Sequence, residues 1–401
     1  MDFYGYMRPN GKAGARNYVL LLPVNRSLNF IASNVERMTR NTHHFEIPAE
    51  TGRTEVDREV IARTLIGLMN NANVGGIVLL AVKSGAGSAY KNMCAERFEE
   101  EARKTGKPFR IVYLTNVGGS YNMLGETLRL TREVLLEVSD FRRENCPLSA
   151  LTLGVKCGTS DATSGIAGNP CVGAAFDQLI RAGGTAFFSE TMEIIGAEDL
   201  VAKRAVNESV AKKILSAARH WEDKAKATGE DIRKINPIPA NIAAGISSLE
   251  EKSLGAIAKS GTSPIQDVLK YAEMPKGSGL YFVDSWMSSL SLPLCLTACG
   301  ATIMLYQMGG GKIAQHPMMP SINPTVVSPF LYLTGNAIAY SRAPDNFDFD
   351  ASPIMTEGAS IPEMGTKLLE HLSAIASGTM TKMETLNYAE QLELYMEGPV
   401  L

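Results

Sequence analysis

Short apolar segments alternate with amphipathic segments along this chain, and this alternation constrains the fold more than any other feature. Residues 18–23 (YVLLLP) and 76–82 (GIVLLAV) indicate buried strands, and residues 57–70 between them have helical spacing. Continuous apolar strands separated by helices are typical of a parallel sheet that is covered on both faces. We therefore predict an α/β fold.

A charged segment divides the chain into two parts. Residues 141–149 (FRRENCPLS) carry Arg, Glu and Pro between a predicted helix and the next predicted strand. We predict an N-terminal α/β domain over residues 1–145 and a C-terminal catalytic α/β domain over residues 146–401, each with a mostly parallel sheet flanked by helices. The carboxyl ends of the strands would then form the ligand-binding edge of each sheet.

Composition excludes several classes of protein. Lys and Arg number 39 against 42 Asp and Glu, so the chain has no basic excess for nucleic acid. It has no uninterrupted apolar run of about 18 residues, and its N-terminus lacks the apolar core of a secretory signal. Six cysteines in 401 residues, without C-x-x-C spacing, do not indicate a disulfide scaffold or a zinc knuckle. We expect a cytoplasmic protein that binds neither nucleic acid nor membrane.

A polar, glycine-rich segment follows the first predicted strand of the second domain. Residues 156–170 read KCGTSDATSGIAGNP. A glycine-rich turn between a strand and a helix exposes backbone N–H groups, and the added Lys, Ser and Asp suit an anionic, polyhydroxylated ligand. The alternative is a plain strand-to-helix turn capped by Ser or Asp.

Two further segments carry charges that suggest chemistry. Glu190 and Glu193, three residues apart after a predicted strand, could hold a hard cation or act as base and acid, or could merely favour a helix N-terminus. Lys252 falls in the first turn of a predicted helix, where its charge opposes the helix dipole. A ligand or a carboxylate would explain Lys252, and a solvated charge is the alternative.

Four segments, in this order along the chain, resemble the altronate/galactarate dehydratase family. They are GYMRPNGKAGARNYV, KCGTSDATSGIAGNP, SETMEIIGAE and NIAAGISSLEEKSLGAIAKSG. The resemblance implies a metal-dependent lyase, typically with iron or another divalent ion, that removes water from a sugar acid. A related two-subunit member removes sulfite from sulfolactate.

The chain also departs from that family pattern. Members usually carry a small His-rich antifreeze-like domain or a separate small subunit equivalent to it, whereas the five histidines here form no cluster. We therefore expect the large subunit of an oligomeric two-subunit enzyme, with a small His-containing antifreeze-like subunit as partner. AVKSGAG and QMGGGKIAQH replace the Gly-Cys-Glu and Thr-Gly-Arg-Gly segments of the sugar-acid members. These replacements indicate a changed substrate.

Elimination from a 2-hydroxy carboxylate requires removal of a proton beside the carboxylate, and a metal or fixed cations must neutralise the resulting enediolate. We predict this reaction, with loss of water to give a 2-keto acid, and elimination of sulfite from (2R)-sulfolactate to give pyruvate as the alternative. The cofactor would be Fe(II) or Mn(II). The predicted catalytic residues are Lys156, Asp161, Glu190 and Lys252; the predicted metal ligands are Cys157 and Glu193; the predicted substrate-binding residues are Arg16, Asn17, Ser160, Ser164, Asn169 and Asn241.

Three other functions compete with this prediction. A nicotinamide-dependent oxidoreductase would need Gly-x-Gly-x-x-Gly after a strand, and SGAGSAY offers only Gly85 and Gly87. A non-catalytic binding subunit would not need so many clustered polar groups. An iron–sulfur dehydratase would need Cys157 and Cys171 to converge with Cys295 or Cys299.

Overall fold

The computed structural model describes residues 1–83, 90–310, 323–386 and 393–399. The strands are β1 Asp2–Met7, β2 Ala13–Gly14, β3 Tyr18–Pro23, β4 Thr42–His44, β5 Val74–Ala81, β6 Phe109–Tyr113, β7 Glu144–Pro147, β8 Thr152–Gly158, β9 Thr185–Phe188, β10 Ile265–Leu269, β11 Gly279–Val283, β12 Ile303–Met308, β13 Phe330–Thr334 and β14 Phe349–Asp350. The segments AVKSGAG and QMGGGKIAQH lie partly outside the described residues: the first from position 84 and the second from position 311.

Helices lie in most of the connections between these strands. They are α1 Asn29–Met38, α2 Glu55–Asn70, α3 Ala95–Lys104, α4 Leu114–Val117, α5 Ser120–Ser139, α6 Asn169–Arg181, α7 Glu198–Ala202, α8 Glu208–Ala227, α9 Ile232–Ile235, α10 Pro239–Ala243, α11 Leu249–Ile257, α12 Ser291–Cys299, α13 Ala337–Arg342, α14 Pro353–Thr356 and α15 Ile361–Ala376. Within the described ranges, none of these helices is long and apolar enough to cross a membrane.

Two parallel sheets confirm the predicted α/β fold. The first has the strand order β4-β3-β5-β6, and the second has the order β10-β11-β9-β8-β12-β13-β14. Every residue of β5, β8 and β12 is buried, as expected for strands covered on both faces. A small antiparallel sheet of β2, β1 and β7, which the sequence pattern did not predict, pairs the start of the chain with the segment before β8.

The strand order of the larger sheet defines one special position. From β8 the chain proceeds to β9 on one side, and it later returns to place β12 on the other side of β8. The connections therefore diverge between the carboxyl ends of β8 and β12. In open α/β sheets, ligands bind in the crevice at such a switch point.

The two parallel sheets share one hydrophobic core through α2 and α12. A Cβ atom added at Gly67 would lie 2.2 Å from the backbone oxygen of Ala298, so the two helices cross in close contact there. The buried amide of Asn71 donates to the carbonyl oxygens of Thr297 and Ala301, each at 2.9 Å. These contacts satisfy backbone groups at the end of α12 and fix the helices of the smaller parallel sheet against those of the larger one.

Candidate active site

Polar side chains converge at the switch point of the larger sheet. Lys156 and Cys157 lie at the end of β8, Gln307 lies near the end of β12, and Glu190 lies two residues after the end of β9. Their exposed fractions are 5%, 1%, 0% and 0%, respectively. Buried polar groups need partners, and their contacts define the site.

Two lysines and two glutamates form what we call the acid–lysine cluster (Lys156, Glu190, Glu193 and Lys259). The Nζ atom of Lys259 contacts Oε2 of Glu190 and donates to Oε2 of Glu193 at 2.9 Å. The Nζ atom of Lys156 lies 3.4 Å from Oε1 of Glu190 and donates to the carbonyl oxygen of Cys157. The backbone N–H of Cys157 donates to Oε2 of Glu190 at 2.9 Å.

Glu190 has an unusual backbone conformation. Its φ of 73° and ψ of 65° lie in the left-handed region, which costs a residue with a side chain on the order of 1–3 kcal/mol. Hydrogen bonds on both sides hold it there, from Ser189 Oγ to the Val283 carbonyl at 2.6 Å and from Thr191 N–H to the Ser285 carbonyl at 3.0 Å. The fold therefore constrains this carboxylate to point back over the end of β8.

The two carboxylates of the cluster titrate differently. Burial raises the pKa of Glu190, and repulsion from the charge of Glu193 raises it further, although both lysines oppose these effects. Burial alone would raise the pKa of Glu193, but the nearby ammonium groups, that of Lys259 first, outweigh it and lower this pKa below its usual value. On acidification Glu190 therefore accepts a proton before Glu193 does. Paired groups with separated pKa values are typical of acid–base sites.

The two lysines of the cluster remain cations. Burial would lower the pKa of each ammonium group, but nearby groups outweigh it and raise both values. For Lys156 the largest of the effects that raise the pKa comes from Tyr306, whose ring centroid lies 5.1 Å from Nζ. For Lys259 the largest comes from Glu190. At neutral pH both ammonium groups of the cluster are therefore charged.

The predicted metal ligands do not fit a divalent ion in this arrangement. Burial, and then the charge of Glu193, raise the pKa of the Cys157 thiol to about 11, so it is a neutral thiol and not a thiolate at neutral pH. Glu193 already binds Lys259. Across the part of the chain that the structure describes, no three His, Cys, Asp or Glu side chains form a group that could hold a metal ion. The Fe(II) or Mn(II) cofactor stays a prediction.

Lys252 lies beside the cluster as a buried cation. Only 8% of it is exposed, which argues against a solvated charge, and its Nζ donates to the amide oxygens of Asn236 at 2.7 Å and Asn241 at 3.1 Å. Asn241 in turn donates to the carbonyl oxygen of Ser160 at 3.0 Å. Lys252 forms no carboxylate ion pair with any residue that the structure describes. Its charge suits a substrate anion.

Asp161 connects the ends of three neighbouring strands. One carboxylate oxygen accepts bonds from Thr163 Oγ at 2.6 Å and from Ser164 N–H at 3.1 Å. The other accepts bonds from Gly310 N–H at 2.5 Å and from the amide of Asn336 at 2.9 Å. Asp161 therefore caps its own turn, as the simpler alternative proposed, and also ties that turn to the segments after β12 and β13.

Two buried amides near this turn have polar atoms without partners among the described residues. Asn169 donates to the carbonyl oxygen of Gly255 at 2.8 Å, but its own Oδ1 accepts no hydrogen bond from the part of the chain that the structure describes. The Nε2 atom of Gln307 likewise has no partner there, while its Oε1 accepts a long contact of 3.6 Å from the Cys157 thiol. Unpaired buried polar atoms are rare in folded proteins, and a bound ligand is one way to satisfy them.

Arg16 and Asn17 are not brought to this site. The Arg16 guanidinium donates to both carboxylate oxygens of Glu384, at 2.6 and 2.7 Å, and Asn17 donates to the Val138 carbonyl at 3.0 Å. Both residues precede β3, and the N–H of Arg16 is bonded to Asn73 at the amino end of β5. Asn73 also donates to the carbonyl oxygen of Thr302, which precedes β12, so this segment lies at the amino end of the larger sheet, whereas the acid–lysine cluster lies at its carboxyl edge. The polar groups of Arg16 and Asn17 therefore stabilise the fold, because they form hydrogen bonds with residues far along the chain.

The structure adds site residues that the sequence analysis missed, chiefly Lys259, Gln307 and Asn336. Gln307 is a polar residue inside the apolar strand IMLYQM, and this pattern could have indicated a functional side chain. Lys259 gave no such signal, because a lysine after the last turn of a helix is favourable in any protein. Its 1% exposure identifies it only in the folded chain.

A parallel α/β sheet with a buried acid–lysine cluster at its switch point defines the site of an enzyme. The family model "D-galactarate/Altronate dehydratase, C-terminal" matches residues 148–399, and "D-galactarate dehydratase/Altronate hydrolase, second domain" matches residues 5–139. The chain belongs to the D-galactarate/altronate dehydratase family. It is therefore a lyase, and cleavage of a carbon–oxygen bond is the main interpretation.

Three characterised proteins show the range of this similarity. The chain is 32% identical over 394 residues to (2R)-sulfolactate sulfo-lyase subunit beta of Chromohalobacter salexigens, covering 97% of this chain and 96% of that one. It is 29% identical to altronate dehydratase of Bacillus subtilis, covering 100% and 78%. It is also 29% identical to galactarate dehydratase (L-threo-forming) of Escherichia coli, covering 99% and 77%.

Proposed function

We propose that this chain catalyses β-elimination of water from a 2-hydroxy carboxylate and so forms a 2-keto acid. The observation that carries the proposal is the buried ammonium group of Lys252, which forms no ion pair with a carboxylate among the described residues. Lys156, Lys252 and Lys259 face Glu190 and Glu193, which leaves one excess positive charge among these five buried groups. An anionic substrate would compensate that excess, and fixed ammonium groups would stabilise the enediolate that forms from it.

The accessible edge of the site suggests how the substrate binds. Glu190 is fully buried, whereas Lys156, Lys252 and Ser160 are 5–8% exposed. We place a substrate oxyanion against Lys252, because its amide partners leave its charge uncompensated. The hydroxyl of Ser160 and the unpaired atoms of Gln307 and Asn169 would bind the remaining oxygens of the substrate.

Proton transfer would use Lys156 and Glu190 together. As the proton leaves the α-carbon for Nζ of Lys156, a proton of that ammonium passes to Oε1 of Glu190, 3.4 Å away. The C–H electron pair becomes the enediolate, and Lys156 keeps its positive charge beside it. The bond between the β-carbon and its own hydroxyl group then breaks, the departing hydroxide takes a proton from the cluster and leaves as water, and the enol, which keeps the 2-hydroxyl oxygen, tautomerises to the 2-keto acid.

Elimination of sulfite from (2R)-sulfolactate is the second candidate. The similarity to (2R)-sulfolactate sulfo-lyase subunit beta, 32% identity over 97% of this chain, supports it. In this reaction the carbon–sulfur bond breaks in place of the carbon–oxygen bond, and sulfite and pyruvate are released.

The same relative supports a partner chain. Its name describes a subunit of an enzyme with more than one kind of chain. We propose that this chain acts as the large subunit of an oligomer with a small His-containing antifreeze-like subunit, in the cytoplasm. An Fe(II) or Mn(II) ion remains part of the proposal, although the described residues form no group of three or more His, Cys, Asp or Glu side chains for it, and no step above depends on it.

A substrate screen tests the proposal. The full chain, with and without a candidate small subunit and with Fe(II) or Mn(II), is incubated anaerobically with sugar acids and with sulfolactate, and both 2-keto acid and sulfite are measured. Lys156→Met should abolish the product. Lys107→Met is the matched control, because Lys107 binds the carbonyl oxygens of Met69 and Asn71 away from the site. Equal activity of Lys156→Met and the wild type would refute the proposal.

A further inference from the structure

The residues that follow β11 cross the carboxyl edge of the larger sheet. The N–H of Thr191 donates to the Ser285 carbonyl at 3.0 Å, and the N–H of Ser285 donates to Oγ1 of Thr191 at 3.1 Å. Further along, Oγ of Ser289 lies 3.0 Å from the hydroxyl of Tyr306 in β12. Because β8 lies between β9 and β12, this crossing segment (residues 285–289) passes the end of β8, where the acid–lysine cluster lies.

Two donors of the crossing segment are buried without a partner. Ser285 is 2% exposed, and neither its hydroxyl nor the indole N–H of Trp286 forms a hydrogen bond with any residue that the structure describes. Ser285 is paired with Thr191, the residue that follows Glu190. Unpaired buried donors are rare in folded proteins because they cost free energy. An anionic, oxygen-rich substrate at this edge would supply the missing acceptors.

A second segment, residues 393–399, packs against the crossing segment, and we call it the strap. The ring of Tyr395 lies against the ring of Trp286, with centroids 5.2 Å apart. The hydroxyl of Ser288 donates to Oε2 of Glu393 at 2.7 Å. The strap therefore contacts the crossing segment through one pair of rings and one hydrogen bond.

The strap is anchored at its other contacts to two helices. Lys224 of α8 contacts the hydroxyl of Tyr395 and lies 3.1 Å from Oε2 of Glu397. The fully buried carboxylate of Asp57 in α2 accepts the backbone N–H of Glu397 at 2.7 Å and that of Gly398 at 3.1 Å. The strap therefore joins α2 and α8 to the crossing segment.

We propose that the crossing segment binds oxygen atoms of the substrate through the Ser285 hydroxyl and the Trp286 N–H, and that Tyr395 is a positioning residue that holds this segment in place. Tyr395 acts through Trp286 and not by contact with the substrate. A segment already held in its bound conformation loses less conformational freedom on binding. The inference rests on the proposed function for the class of substrate, a 2-hydroxy carboxylate, and adds two donors to its site.

Tryptophan fluorescence of the full chain tests the strap without substrate. The chain has two tryptophans, and the second, Trp221, also lies against Tyr395, with ring centroids 5.3 Å apart. Tyr395→Ala and Asp57→Ala should both increase quenching by acrylamide, because release of the strap uncovers both indole rings. Asp57 forms no hydrogen bond with either tryptophan within the described ranges, so unchanged quenching in Asp57→Ala would overturn the proposal. Tyr395→Phe keeps the ring and should match the wild type.

Kinetics test the binding role, and only this arm rests on the proposed function. Ser285→Ala and Tyr395→Ala should each raise KM about tenfold, corresponding to ~1.4 kcal/mol, with a smaller change in kcat. Tyr395→Phe should keep the wild-type KM. If Tyr395 were merely structural, Tyr395→Ala would lower the yield of folded protein and leave the KM of the folded fraction unchanged. That result, or an unchanged KM in Ser285→Ala, would overturn the proposal.

Tyr6→Ala is the matched control for Tyr395→Ala. Tyr6 is partly buried in the small antiparallel sheet, where its ring centroid lies 4.6 Å from the guanidinium carbon of Arg143. This variant loses a tyrosine ring that packs against a charged side chain, but it leaves the strap intact. Its KM and its acrylamide quenching should equal those of the wild type, and a tenfold rise in its KM would overturn the assignment to the strap.

A double variant separates one strap from two independent contacts. Asp57→Ala/Tyr395→Ala should have no higher KM than the more affected single variant, because both changes release the same segment; a KM raised by the product of the two separate effects would overturn the proposal. If Tyr395→Ala does not fold, Asp57→Ala alone tests KM, since it leaves all three rings in place. If the substrate screen yields no product, the quenching result still decides whether the strap holds the crossing segment, so failure of the proposed reaction is distinguishable from failure of this inference.

Discussion

Glu190→Gln is the most informative single substitution. The wild-type carboxylate contacts the ammonium groups of Lys156 and Lys259 and accepts the N–H of Cys157. Glutamine has nearly the same shape but carries no charge, and its NH2 group must face an ammonium group or the Cys157 N–H. One more buried positive charge is then left uncompensated.

The size of the effect can be worked out from these contacts. Removing one partner of a buried ion pair costs about 3–5 kcal/mol in the free energy of unfolding. Removing the proton acceptor should lower turnover by roughly 10²–10⁴. The two losses are measured separately, by urea denaturation followed by circular dichroism and by initial rates well below the unfolding transition.

Glu384→Gln is the matched control for this substitution. Glu384 forms a two-pronged ion pair with Arg16, and both side chains are 9% exposed. This variant should lose stability to a similar order, because it also leaves a largely buried cation unpaired, but it should keep its turnover per folded molecule. Wild-type turnover in Glu190→Gln, or an equal loss of turnover in Glu384→Gln, would show that stability and not proton transfer accounts for the effect.

Three further predictions test other parts of the molecule. Lys252→Met should raise KM about 10- to 100-fold while changing kcat less, because a charge-assisted hydrogen bond contributes about 1.5–3 kcal/mol; an unchanged KM would exclude the anion site. Asp161→Asn should lower the free energy of unfolding by about 1–3 kcal/mol and remove most of the turnover, since an amide cannot accept hydrogen bonds from all of the donors around it. Full activity of this variant would show that Asp161 only caps its turn. Burial would lower the pKa of His44, but its ion pair with Glu36 outweighs burial and raises this pKa. The pair should contribute about 1 kcal/mol or less to the free energy of unfolding. This contribution is present below pH ~6.5 and is lost as the pH rises through the raised pKa. Urea denaturation of His44→Asn and the wild type should therefore converge at alkaline pH, and a constant difference would contradict this.

Much of the fold could be predicted from local pattern alone. The strand at residues 18–23 has the predicted bounds, and the predicted strand and helix at residues 76–82 and 57–70 correspond to β5 and α2. Continuous apolar strands have no exposed face, so only a sheet with helices on both sides buries them. The small antiparallel sheet was missed because β1 and β7 are separated by more than a hundred residues and lack strongly apolar runs.

Part of the candidate site was also visible in the sequence. Residues 156–169 combine charged side chains with glycines, and residues 190–193 carry two carboxylates just after a predicted strand. Because the carboxyl ends of parallel strands lie at one edge of a sheet, the sequence predicts that the two segments are close together. The order of the strands was needed to show that β8 adjoins both β9 and β12 and so forms the switch point. Local pattern does not contain that order, because it depends on which strands pair.

The sequence by itself determined the α/β class, the family resemblance and most of the groups at the switch point. Only the tertiary structure decided which charges meet: Lys259 reaches Glu190 across 69 positions, and Arg16 reaches Glu384 across 368. The physical reason is that a charged side chain has the same local pattern whether it is solvated, capping a helix or buried with a counter-ion. Its role depends on which groups the fold places within a few ångströms of it and on how far the fold excludes water.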